Sequence, residues 1–321
     1  MNVLLTGISG NLGHEVALDL NRRGINIIPI VRPGKKDIPL ANQIKLEQVI
    51  TNDLTQDEKI TISTPVDCIV HCAGIVHFRD AGNTNEKMMK TLIRLANRLK
   101  IPIYFVSTAF VYRPLGIKLI FNNSYEHDKF RAEHALISSG IVHAIFRPSV
   151  LGGNSETGQI QNFSGFYTIV KELLLAVNNS RTKGQKLRFP KLPGKSDIVP
   201  VDQAARHMGD VIQNGKFDLE YITNPNPPKS SWVFKKTLDF FDLSGDVDIL
   251  GCSFEAYGKL DLSEEEKRLY NFCRHFNPYW SIAYRFPQTI CNENLIDHEY
   301  LVKTLSYFAN SKNINYDRRT N

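Results

Sequence analysis

The sequence predicts an α/β fold: a doubly wound parallel sheet with a smaller, mostly helical region toward the C-terminus. Two observations carry this expectation. Short, bounded apolar runs alternate with helical patterns through the first 150 residues, as strands buried on both faces alternate with their crossover helices. Glycines 7, 10 and 13 follow the first run at once, where such a sheet turns from its first strand into its first helix.

Taken in order, strands are expected near 2–6, 26–31, 47–51, 67–72, 102–107 and 142–147, and helices near 11–22, 84–99 and 125–139. Beyond about residue 150 the alternation loosens. A helix near 165–178 precedes a basic stretch from Arg181 to Lys195, a strand around 219–223 is expected to return to the main sheet, and a helix near 231–241 follows. The expected division is a Rossmann-like nucleotide-binding domain over 1–160, joined by that later strand, and an interleaved substrate-binding cap over 161–321.

Composition sets limits. At 321 residues, 42% hydrophobic and 22% charged, the chain is an ordinary globular protein of one large or two small domains. No run approaches the 18 or more apolar residues of a membrane span, and the first strand begins at residue 2, so a cytoplasmic location without a signal peptide is expected. The five cysteines, Cys68, Cys72, Cys252, Cys273 and Cys291, form no Cys-x-x-Cys pair and read as thiols rather than metal ligands or disulfides. No metal site is expected. The formal charge of +6 suits a phosphate-bearing partner, but no motif for nucleic acid accompanies it.

The glycine triplet has a physical reading. Gly7 permits the sharp strand-to-helix turn, Gly10 lets the backbone approach a pyrophosphate, and Gly13 allows the helix to pack closely on the strand. With Asn11 and Leu12 they open a helix whose N-terminus faces the phosphates. Tyr125 and Lys129, four apart, share one helix face. A neighbouring ammonium favours the phenolate and moves a tyrosine toward useful acid-base range. Taken alone, the pair also fits an exposed helix start.

Together with these, the run of Asp53-Leu54, His71-Cys72-Ala73-Gly74, Asn85, Ser107-Thr108-Ala109-Phe110-Val111-Tyr112 and Arg147-Pro148-Ser149, each in order, resembles the extended short-chain dehydrogenase/reductases. Val76-His77-Phe78, Arg147 to Gly152, Thr157-Gly158 and Asp197 to Asp202 are similar to its fatty acyl-CoA reductase and thioester reductase branch, the male-sterility type. Arg113-Pro114 stands where a sugar-nucleotide epimerase more often shows glycine.

The resemblance implies roles. Thr108 and Tyr125 would hydrogen-bond a substrate carbonyl oxygen beside the nicotinamide, with Tyr125 giving the proton and Lys129 tuning it and holding the ribose; Ser107 is the rival hydroxyl. Asp53 and Leu54 would contact the adenine, and Ala73, Gly74 and Pro148 would line the cofactor. Asp53 also reads as a turn residue, Asn85 as a proton relay or a backbone support, and His77 and Phe78 as site or loop residues. Arg32 ends the second strand where an NAD enzyme usually has an acid, with Lys35 and Lys36 behind. Its guanidinium suits a 2′-phosphate, so NADP(H) is favoured over NAD(H), unless Arg32 is only a solvated cation.

The function expected is NADPH-dependent reduction of an acyl thioester, on coenzyme A or a carrier protein acting in trans, or of a derived aldehyde or ketone. Another extended-family enzyme, such as a sugar-nucleotide epimerase or a hydroxysteroid- or flavonoid-type dehydrogenase, stays open, as does a non-catalytic NADP(H) sensor. The basic cluster 181–195 reads as a phosphate contact or a solvated loop. The aromatics of 257–284 could form an acyl channel, the cap's own core or a homodimer surface.

Overall fold

The computed structural model describes residues 1–34, 44, 46–56, 59–76, 82–287 and 295–314. Lys35, Lys36, His77, Phe78 and Cys291 lie outside the described residues.

The chain divides into two compact units. One comprises Met1–Leu151, Val201–Thr223 and Phe286–Cys291, the other Gly152–Pro200, Asn224–Arg285 and Asn292–Asn321.

The first unit is a seven-stranded sheet. Its strands are β1 (Asn2–Thr6), β2 (Asn26–Val31), β3 (Ile50–Thr51), β4 (Cys68–His71), β5 (Ile103–Val106), β6 (His143–Pro148) and β7 (Leu219–Ile222). They run in the order β7-β6-β5-β4-β1-β2-β3. Every pairing is parallel. The crossovers include α1 (Asn11–Arg22), α2 (Thr84–Leu99), α3 (Ser124–Ser138) and α4 (Val201–Gln213). This is the doubly wound sheet the sequence predicts. The expected third strand at 47–51 is shorter: only Ile50 and Thr51 join the ladder, and Leu46 makes one isolated bridge to Ile27.

Burial explains the strand patterns. All four residues of β4 and of β5 are buried, so neither strand can show polar alternation. On one face Leu4, Ile28, Ile69 and Phe105 meet Leu92 of α2 and Leu136 of α3. The helices α1 and α4 pack together, and an ion pair from Arg23 to Asp19 at 2.6 Å and to Asp210 at 2.8 Å joins them.

Strand order reverses about β1: the chain winds outward to β2 and β3, then crosses back to β4. Ligands of open parallel sheets bind outside the carboxyl ends of the strands at such a switch point. The glycine turn after β1 and the turn after β4 both lie there.

The second unit surrounds a parallel pair, Leu187–Pro190 with Val247–Leu250, with helices that include Phe166–Thr182, Ser230–Phe240, Glu264–Cys273 and His298–Ser311. Its core gathers Tyr167, Val177, Phe189, Leu269, Trp280 and Phe308. The aromatics singled out at 257–284 belong largely to this core: Trp280 is part of it, and Tyr270, Phe272 and Phe276 pack against it. The basic stretch is mostly neutralised. Arg188 bonds Glu266 at 2.7 Å, Lys183 bonds Glu265 at 2.7 Å, and Arg181 pairs with Asp246.

Candidate active site

Thr108 follows β5 and caps a short 3₁₀ turn, Ala109–Val111, its hydroxyl accepting from the Phe110 amide at 3.4 Å. Tyr125 is the second residue of α3, whose first turn is fixed by Asn123 accepting from the Glu126 amide at 3.0 Å. The two elements bring the hydroxyls of Thr108 and Tyr125 into hydrogen-bond contact. One turn further on, the buried Lys129 donates to the Val106 carbonyl at 2.9 Å and stands 5.0 Å from the centroid of the Phe105 ring. The structure therefore brings Thr108, Tyr125 and Lys129 together at the carboxyl end of β5.

Burial dominates their electrostatics. It pushes the Tyr125 phenol up to about 12, outweighing the hydrogen bond from Thr108, and the charge of Glu126 adds to the rise. It also takes the Lys129 ammonium down to about 8, against the opposing charges of Asp128, Cys72 and Glu133. The sequence reading expected Lys129 to favour the phenolate. In this structure Lys129 is not among the groups that shift Tyr125, and its ammonium is held by a backbone carbonyl. A phenol so raised keeps its proton at neutral pH and is a weaker acid than a free tyrosine, so it can yield that proton only to a more basic oxygen.

Around these residues lies support that the sequence reading missed. Asp128, fully buried, accepts from the Asn85 amide at 2.8 Å, from the Asn85 side chain at 2.9 Å and from the Glu86 amide at 3.3 Å. Asn85 in turn accepts from the Ile75 amide at 3.0 Å and donates to the Ile75 carbonyl at 3.2 Å. Of its two anticipated roles, the backbone support is the one its side chain performs here. Glu126, also buried, binds Arg113 at 3.2 Å and the Asn122 amide at 2.9 Å. Glu133 holds Arg147, whose guanidinium also donates to the Tyr221 hydroxyl. The sequence signal for Asp128 and Glu126 was their place within one turn of Tyr125, but Asn85 lies 43 residues from Asp128 and Arg113 lies 13 from Glu126.

On the nucleotide side, Gly7 has φ of +80°, and a Cβ there would stand 2.5 Å from the Ala73 nitrogen. A Cβ on Gly13 would overlap the Gly7 carbonyl. Glycine is required at both. Gly10 is the N-cap of α1 and supplies no side-chain cap, so the amides at Asn11, Leu12 and Gly13 open a helix end suited to a phosphate. Gly74 lies against the other wall, where a Cβ would meet the Lys129 nitrogen at 2.9 Å. The Thr6 hydroxyl accepts from the Ala73 amide at 3.1 Å and bonds His71 Nδ1 at 2.7 Å, joining the two loops.

Asp53 sits in a tight turn, accepting from the Thr55 amide at 2.9 Å and the Thr55 hydroxyl at 2.8 Å, which hold its carboxyl below the usual range. Arg32 is exposed, and its charge acts weakly on Asp53. Leu54 is buried in the sheet's core, leaving only its backbone for a ligand, and Pro148 ends β6, buried. Among the described residues, Ser107 Oγ, Ser149 Oγ, His71 Nε2 and Asn52 Oδ1 are buried without a hydrogen-bond partner. All four stand at or just beyond carboxyl ends of strands. Such orphaned groups, with the glycine-lined helix end, fit a dinucleotide there. No cluster of three or more metal-ligating side chains occurs among the described residues.

Comparison with known proteins gives the same class. The family model described as male sterility protein matches residues 52–208, a span holding Thr108, Tyr125 and Lys129. Fatty acyl-CoA reductase 1 of Gallus gallus is 26% identical, over 74% of this chain and 57% of its own length. The chain thus spans little more than half of that curated relative. The terminal R domain from the myxalamid PKS-NRPS biosynthetic pathway superposes with a TM-score of 0.69 at 19% identity, covering 97% of this chain and 90% of that one. A UDP-glucose 4-epimerase superposes with a TM-score of 0.64 at 13% identity, covering 99% and 100%.

The fold is Rossmann-like, and the chain is similar to the extended short-chain dehydrogenase/reductases, a class of NAD(P)-dependent oxidoreductases. Within that class the chain is similar to the male-sterility type, whose family model matches residues 52–208, and to fatty acyl-CoA reductase 1. No described helix is long and apolar enough to cross a membrane.

Proposed function

We propose that the chain is an NADPH-dependent reductase of acyl thioesters, carried on coenzyme A or on a carrier protein acting in trans, or of the aldehydes or ketones derived from them. The observation that carries this reading is the buried pair of hydroxyls, Thr108 and Tyr125, one helical turn from a buried lysine. The likeness to fatty acyl-CoA reductase supports the thioester as substrate.

A bound nicotinamide dinucleotide supplies the hydride for this chemistry. Gly7, Gly10 and Gly13, with the amides of Asn11 and Leu12, would hold its pyrophosphate, and Asp53, Leu54, Ala73, Gly74 and Pro148 would line its remaining length. Lys129 would reach the ribose. Thr108 and Tyr125 donate to the substrate carbonyl oxygen and stabilise the negative charge that grows on it as the carbon is reduced. Tyr125 then gives that oxygen its proton. The resulting hemithioacetal breaks its carbon-sulfur bond, releasing thiol and aldehyde, and a second reduction of the aldehyde yields the alcohol.

NADPH is preferred over NADH on the strength of Arg32, an exposed guanidinium at the end of β2 that matches a 2′-phosphate. The test follows cofactor absorbance with a panel of acyl-CoA thioesters and aldehydes, NADH serving as comparison. Thioester-dependent loss of NADPH is expected. Turnover of aldehydes alone would restrict the chain to simple carbonyl reduction, and equal use of NADH would remove the role given to Arg32.

A further inference from the structure

The segment 113–121 leaves the fold between its two catalytic hydroxyls. Its feet are stapled. The Arg113 guanidinium donates to the carbonyls of Phe110 at 2.6 Å, Tyr112 at 2.7 Å and Ile120 at 2.7 Å, and pairs with Glu126 at 3.2 Å. Glu126 also takes the Asn122 amide at 2.9 Å. One foot therefore rests on the turn that begins at Thr108, the other on the residue after Tyr125.

Between the feet the segment is apolar and uncovered. Leu115 is fully exposed, and Ile117, Leu119 and Ile120 are 50%, 47% and 60% exposed. Four of the six residues 115–120 are thus exposed aliphatics, whereas elsewhere among the described residues large exposed apolar side chains are scattered singly or in pairs. Scattered residues need no explanation, but a contiguous group does.

Resting on the reductase reading, we propose that this segment seats the alkyl chain of a long-chain acyl thioester while its carbonyl lies against Thr108 and Tyr125. Continuity with the site favours this occupant, because both feet of the segment are built from the elements that carry the reacting hydroxyls. The alternative apolar sink, the aromatics of 257–284, is largely used up in the core of its own unit. Charge favours an alkyl chain over a lipid surface: Arg113 is tied to Glu126, which leaves Lys118 as the exposed cation of the segment, where bilayer-binding segments carry several. Stapled feet also lower the ordering cost of binding a flexible chain.

The test compares palmitoyl-CoA with butyryl-CoA on wild type and on the Leu115→Ser/Ile120→Ser double variant, with Ile137→Ser as control. Ile137 is an exposed residue near the far end of α3. In kcat/KM, the double variant should lose the palmitoyl preference by about tenfold or more, and the control should keep it. Binding of each thioester by calorimetry, read without turnover, should show the same loss. An unchanged palmitoyl-to-butyryl ratio in the double variant overturns the proposal, as does wild type binding both thioesters equally. Flotation with phosphatidylserine vesicles that the double variant abolishes, with the ratio intact, would reassign the segment to a lipid surface. Palmitoyl-CoA binding that needs the segment, with no reduction of any thioester, would contradict the reductase reading alone.

Discussion

Asp128 accepts hydrogen bonds from both the backbone and the side chain of Asn85, at 2.8 and 2.9 Å, so the helix that carries Tyr125 and Lys129 also caps the helix that follows the Ala73-Gly74 turn. Asn85 passes that constraint on to Ile75. Replacing Asp128 by Ala leaves buried donors without an acceptor, and a loss of about 2–4 kcal/mol in unfolding free energy is expected from urea denaturation. Cofactor affinity, read by fluorescence titration, should weaken as well, because the Gly74-Ile75 segment loses its tie.

Tyr125→Phe removes the proposed proton donor and little else. A fall in kcat/KM of about a hundredfold to ten-thousandfold is expected, with the cofactor dissociation constant nearly unchanged. Full activity in this variant would show the phenol to be dispensable.

The pH profile should report Lys129. Its ammonium, taken down to about 8, is present below that pH and lost above it, so kcat/KM for reduction is expected to fall as pH rises through about 8. Lys129→Arg keeps a charge that does not titrate in this range. Whatever activity that variant retains should lose the descending limb.

His71 sets a different pH dependence. Burial, with the charge of Lys129 adding to it, lowers the ring to about 3 from an ordinary 6.5. Between those values the unfolded chain binds a proton that the native state does not, so stability is lost as pH falls from 6.5 toward 3, by up to about 1.4 kcal/mol per pH unit. His71→Asn, which keeps a hydrogen-bonding partner for the Thr6 hydroxyl, should show a shallower acid slope in thermal melts.

Arg32→Ala should weaken NADPH by about tenfold relative to NADH in kcat/KM, since only the 2′-phosphate loses a partner. An unchanged ratio would leave Arg32 as a solvated surface cation.

The parallel-sheet half was legible because its signals are local. A fully buried strand such as Ile103–Val106 reads as a bounded apolar run, and the demands at Gly7 and Gly13 arise within one turn of chain. That Thr108, Tyr125 and Lys129 lie together was legible because helical spacing places the last two on one face and family order places the first. The supporting carboxylates were not legible. Asp128 and Glu126 look like ordinary charged residues of a helix's first turns, and only tertiary contact with Asn85 and Arg113 buries them. The balance at Tyr125 was hidden for the same reason: spacing brings Lys129 near, but burial decides which way the phenol shifts. The pairing of the 181–195 cations with Glu265, Glu266 and Asp246 likewise depends on segments more than 60 residues away.

The most direct test of the central claim is a coupled measurement of thiol release and NADPH oxidation with one acyl-CoA, comparing wild type with Tyr125→Phe. Free coenzyme A appearing in step with NADPH loss in wild type, and both rates falling together in the variant, is the result predicted. NADPH loss without thiol release, or thiol release that does not need NADPH, would contradict it.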